Sequence, residues 1–191
     1  MGIVVSEPQL QLFRATMTSQ ATVIKDPSWA NNAKQLLTTL SDSAQRAVRL
    51  AESMKKYSDQ SYQNALNEFY GKYVWRHPVE TDLDSMMSTV NEAIYNYMQG
   101  PSEFTITGTL KNYDATPFLK QITVPVLYTV GEFDEANPVL IQHFASLTPG
   151  TKAIVLKGAA HMTPWDARDE NVLVVRQFLH SVDSVRIAAR D

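Results

Sequence analysis

Apolar positions change their rhythm near residue 100. Residues 2–6 are a short β-branched run closed by Glu7-Pro8, the pattern of a buried strand entering a loop. From about residue 9 to residue 99 the spacing is helical. Asp26-Pro27-Ser28 is a helix-start signal, and Leu36, Leu37 and Leu40 follow at helical intervals. Ser41-Asp42-Ser43 opens a second helix with Ala44, Val48 and Ala51 on one face. Ser58 or Asp59 can cap a third, whose Tyr62, Ala65, Leu66, Phe69, Tyr70 and Tyr73 form a broad apolar stripe. Leu83, Met86, Met87, Val90, Ile94 and Met98 predict one further helix, ended by Gly100-Pro101.

Beyond Gly100 the pattern becomes mixed. Phe104–Leu110 alternates with threonine as a strand would, and reads equally as an extended connector. Residues 124–130 are a short apolar run, as expected for a strand covered on both faces. Pro138–Leu147 reads as a helix with proline in its first turn, Lys152–Leu156 as a second buried strand, and Arg168–Val182 as a closing amphipathic helix before a frayed tail. Strand, helix, strand, helix at these intervals predicts a parallel α/β sheet. The expected organisation is a first strand (1–8), a helical block (9–100), an α/β part (101–183) and a tail (184–191).

Composition narrows the classes. The 191 residues carry 17 Lys plus Arg against 20 Asp plus Glu, without the basic excess that nucleic-acid phosphates require. There is no cysteine, which excludes disulfides, thiolate metal sites and a cysteine nucleophile. No apolar run is long enough to span a bilayer and no signal peptide is evident, so a soluble, cytoplasmic protein without membrane partners is expected. His77, His143, His161 and His180 stand apart in sequence, and neither a metal nor an organic cofactor is expected.

Two loops could carry chemistry. Gly131-Glu-Phe-Asp-Glu135 follows the strand at 124–130, and Gly158-Ala-Ala-His-Met162 follows the strand at 152–156. Both stand at the C-terminal edge of a parallel sheet, where such folds bind ligands. Asp134 could orient the His161 imidazole by hydrogen bonding and stabilise its protonated form. The spacing also permits two loop residues that never meet.

These loops resemble the last two strands of an α/β-hydrolase fold, in which a catalytic Ser, Asp and His follow one another in chain order. Together with Gly100-Pro-Ser-Glu-Phe-Thr-Ile-Thr-Gly-Thr-Leu110, they more specifically resemble the proline iminopeptidase family of serine peptidases. The helical block resembles the cap that those enzymes insert into the sheet. The resemblance runs from Ile3 to about Val182. It implies a partial α/β-hydrolase fold, Asp134 as the orienting acid, His161 as the general base, and Glu103 and Glu135 as carboxylates gripping the free amino terminus of a small peptide or amide. Tyr95, in the helix leading to Glu103, is a further candidate for that pocket, or else a core residue.

One element of the family pattern is missing from the sequence: it holds no G-x-S-x-G nucleophile elbow. The expectation is therefore the C-terminal part of a larger hydrolase, inactive alone, with Ile3–Val5 presenting an unpaired strand edge open to self-association. The alternatives are a catalytically dead hydrolase-like binding protein and a hydrolase of some small metabolite.

Overall fold

The computed structural model describes residues 2–6, 15–18 and 27–188. The Glu7-Pro8 turn, Asp26 and the end of the tail lie outside them. Five helices follow two short strands, β1 (Gly2–Ser6) and β2 (Ala15–Thr18): α1 (Pro27–Leu37), α2 (Asp42–Met54), α3 (Gln60–Tyr73), α4 (Glu80–Thr89) and α5 (Glu92–Met98). Then come α6 (Thr116–Leu119), β3 (Val126–Gly131), α7 (Pro138–Leu147), β4 (Lys152–Leu156), α8 (Thr163–Asp166) and α9 (Arg168–Ala188).

The helical block begins where its capping chemistry places it. The Ser41 hydroxyl accepts the Ala44 N–H at the start of α2, and Asp59 precedes α3. The predicted helix through Leu83 and Met98 is two helices. Asn91 interrupts it and caps α5 by accepting the Ile94 N–H, a local bond that competes with helix continuation. The run Phe104–Leu110 forms no strand; it is a connector that ends in a 3-10 turn at Thr109–Asn112. β2 lies inside the stretch expected to be wholly helical, where Thr16 and Thr18 favour extended backbone. At the other end α9 continues through Ala188, past the expected start of the tail.

The sheet has the order β2-β1-β3-β4. β3 and β4 are parallel, joined by the crossover helix α7, with Leu127 opposite Lys152 and Gly131 opposite Leu156. β1 runs antiparallel to β3 and to β2, beside the parallel pair that the strand–helix–strand run predicts. A β-branched run specifies a strand but not its direction, which the connecting chain decides. β1 is also flanked on both sides, so the unpaired edge expected at Ile3–Val5 is occupied by β2. β4 is an edge strand and only half-buried, whereas β3 is buried along its whole length.

Two apolar cores result among the described residues. Val126, Tyr128, Val130, Ile141 and Phe144 pack where β3 meets α7. Val48, Tyr62, Phe69 and Phe104 pack among α2, α3 and the connector. Met162, from the loop after β4, packs against the helical core and ties the two layers together. Among the described residues no helix is long and apolar enough to cross a membrane.

Candidate active site

The loops after β3 and β4 meet because their backbones hydrogen-bond strand end to strand end. The Glu132 N–H donates to Leu156 O and the Phe133 N–H to Ala159 O, both at 2.9 Å. Gly131 makes this approach possible: a Cβ there would stand 2.2 Å from Ala160 O. After Gly131 the chain turns sharply, and the Asp134 carboxylate accepts the Ala136 N–H at 2.7 Å. Asn137, at φ 58°, then caps α7.

Asp134 and His161 are brought together, with Oδ1 3.1 Å from the imidazole Nδ1. The Asp134 side chain is fully buried, and that of His161 is 13% exposed. Burial alone would raise the Asp134 carboxyl. The His161 imidazole beside it and the hydrogen bonds from His161 and Ala136 favour the ionised form, and the group is held below the usual carboxylate value. An ionised carboxylate only accepts, so Nδ1 must carry the proton, which leaves Nε2 as the basic nitrogen.

The helical block holds these loops from above. The Tyr73 carbonyl, at the end of α3, accepts the N–H of both Glu135 and His161 at 3.2 Å, and Val74 O accepts the Met162 N–H at 2.7 Å. Tyr73 is in turn wedged against Phe69, their ring centroids 5.2 Å apart.

A cavity of about 390 Å³ opens between the layers, and His161, Glu135, Glu103 and Tyr95 all line it. Asp134 lies behind the imidazole. Glu103 is aimed by the connector, where Gly100 adopts φ 125° and a Cβ would meet Thr105 O at 2.4 Å. The Tyr95 hydroxyl donates to Glu103 Oε1 at 2.8 Å, and the Gln99 amide donates to Oε2 at 3.3 Å. Burial and then the Glu103 charge push the Tyr95 hydroxyl far up, so it remains a donor. Tyr70 behind it is raised likewise, by burial and by Glu103 and Glu135. Tyr95 is thus half-buried but polar in role, and is not a core residue.

Asn91 and Gln99 apart, the remaining wall is apolar. Trp75, Met86, Val90, Ile94, Met98 and Leu110 line it, and none of α4 or α5 is buried. Four of the six residues in the stripe that predicted one helix here, Met86, Val90, Ile94 and Met98, line the cavity. Sequence reasoning missed Gln99 and Tyr70. Tyr70 was indistinguishable within the apolar stripe of α3, while Gln99, a lone polar side chain just before Gly100, was a usable signal. Among the described residues no cluster of His, Asp and Glu is arranged to hold a metal ion.

No family model matches the chain. It is 37% identical over 158 residues to a proline iminopeptidase of Heyndrickxia coagulans, covering 82% of this chain and 55% of that protein. A proline iminopeptidase of Thermoplasma volcanium is 34% identical over 156 residues, covering 80% and 52%. Among solved structures, the proline iminopeptidase of Mycobacterium smegmatis superposes with a TM-score of 0.74 at 31% identity, covering 83% of this chain and 54% of that one. VinJ superposes with a TM-score of 0.75 at 25% identity, covering 81% and 53%. The chain therefore spans about half the length of the relatives it matches, and its fold is a partial α/β-hydrolase fold.

Proposed function

We propose that this chain, which corresponds to about half of a proline-iminopeptidase-like α/β-hydrolase, supplies the acid, the base and the amine-binding end of a serine aminopeptidase site. The site would release N-terminal residues, proline preferred, from peptides or related amides and esters. The observation that carries this reading is the opening of the Asp134–His161 pair onto the same cavity as Glu103 and Glu135. A base alone is common to many hydrolases. A base beside two carboxylates suits a substrate whose cationic amine lies a residue's length from the scissile bond.

In this mechanism His161 Nε2 takes the proton of a serine hydroxyl contributed from outside the present sequence. The serine oxygen attacks the acyl carbon of the first residue, and Asp134 stabilises the imidazolium. His161 then gives the proton to the departing nitrogen, and water repeats the sequence to release the acyl group. Glu103 and Glu135 neutralise the amine, so a chain that continues on the amine side finds carboxylates where it would need room. Removal of one terminal residue follows. The oxyanion donors of this chemistry also belong outside the sequence, and they are worth roughly 100- to 1000-fold in rate.

The test has two stages. Prolinamide titrated into the isotopically labelled chain should shift the resonances of Glu103, Glu135 and His161, while N-acetylprolinamide should not. Joined to the serine-bearing half of a relative, the chain should release proline from a proline arylamide, and H161A should abolish that release. Equal binding of the acetylated amide, or no turnover by the joined protein, would favour a hydrolase-like binding protein instead.

A further inference from the structure

Asp166 closes α8, five residues after His161, and its side chain is entirely buried. Three backbone N–H groups converge on its two oxygens. Arg76 donates to both, at 2.9 and 3.1 Å, His77 to Oδ1 at 2.7 Å, and Ala160 to Oδ2 at 2.8 Å. Arg76 and His77 belong to the corner that leaves α3, whereas Ala160 immediately precedes His161. One carboxylate thus bridges the helical block and the histidine loop.

We propose that Asp166 is a positioning residue that sets the His161 backbone, so that Nδ1 falls on Asp134. The three N–H groups around the imidazole are fixed from one side. Asp166 holds Ala160, Tyr73 O holds His161, and Val74 O holds Met162. Two of those acceptors lie at the end of α3, and Asp166 ties the residues just after them to the same loop. If the tie is lost, the acceptors and the loop can separate. The chemistry requires a carboxylate. Asparagine would turn an NH2 group toward one of the incoming N–H donors, and alanine would leave the three donors without their shared acceptor. The exposed His77 ring stands 3.7 Å from Asp166 Oδ1 and plays no part in the bridge, which runs through backbone N–H groups.

The inference rests on His161 as the base, but its test needs no substrate, so it fails separately from the aminopeptidase reading. The His161 Nδ1–H proton resonance and the amide exchange of Arg76, His77 and Ala160 are measured in the wild-type chain and in D166N, D166S and H77A. D166N is expected to lose or broaden the Nδ1–H signal and to speed exchange at the three amides at least tenfold, with amides of β3 unchanged. H77A is expected to keep the wild-type signal. D166S is measured in parallel should D166N fail to fold. A folded Asp166 variant that retains the wild-type Nδ1–H signal overturns the proposal, and so does loss of that signal in H77A.

Discussion

The backbone N–H groups of Glu135 and His161 share one acceptor, the Tyr73 carbonyl, at 3.2 Å each. The residue proposed to hold a substrate amine and the residue proposed as base are therefore positioned by the same atom. The separation between them is set by the C-terminal turn of α3, so the packing of that turn controls it.

Phe69 is the first place to disturb that turn. It is fully buried and packs its ring against Tyr73, Tyr70 and Phe104. F69A should cost about 3–5 kcal/mol of stability, the usual loss for a buried aromatic. Denaturant titration measures this, and the Glu135 and His161 amides should exchange faster in the same variant.

Gly131 makes a sharper demand. In G131A the new methyl group would collide with the backbone carbonyls of Ala159 and Ala160, neither of which is a flexible side chain. The strand ends must part. Loss of about 1–3 kcal/mol is expected, together with loss of the His161 Nδ1–H resonance. Retention of that resonance at wild-type stability would contradict the close approach.

Asp134 should make stability depend on pH at the acidic end. Its folded carboxyl lies below its unfolded value of about 3.9, so the unfolded chain binds more protons there. The contribution is fully present above that value and disappears as pH falls through the depressed one. Denaturant midpoints of the wild type should therefore fall more steeply than those of D134N between about pH 5 and pH 2. Parallel curves would mean that Asp134 is not held ionised.

The carboxylate end of the cavity separates charge from orientation. E103Q should weaken prolinamide binding by about tenfold or more, the worth of a hydrogen bond to a charged group. Y95F removes only the hydroxyl that aims Glu103 and should weaken binding by about fivefold. Calorimetric or resonance titrations distinguish the two, and equal losses would imply that Tyr95 itself meets the ligand.

Much of this was legible in the sequence wherever a local rule decides structure. Ser41 and Pro138 mark helix starts by their own hydrogen-bonding or ring chemistry, and α7 and β4 fall where their apolar spacing places them. Asp134 and His161 were found because each follows a strand that the pattern reveals. What stayed hidden depends on partners distant in sequence. The antiparallel course of β1 and the shared Tyr73 acceptor require residues that only folding brings together. The apolar stripe of α4 and α5 shows the same limit. Spacing identifies a face, but whether that face meets a core or a cavity depends on what lies opposite.

That stripe separates two kinds of evolutionary freedom. Asp134 and His161 are held by strand ends, a buried donor and a glycine, so most changes there threaten folding as well as the proposed chemistry. Met86, Val90, Ile94 and Met98 line the cavity from helices that bury none of their residues. Substitutions at those positions can reshape the cavity at little cost to the fold, so under the proposed function the range of ligands can diverge while the Asp134–His161 pair stays fixed.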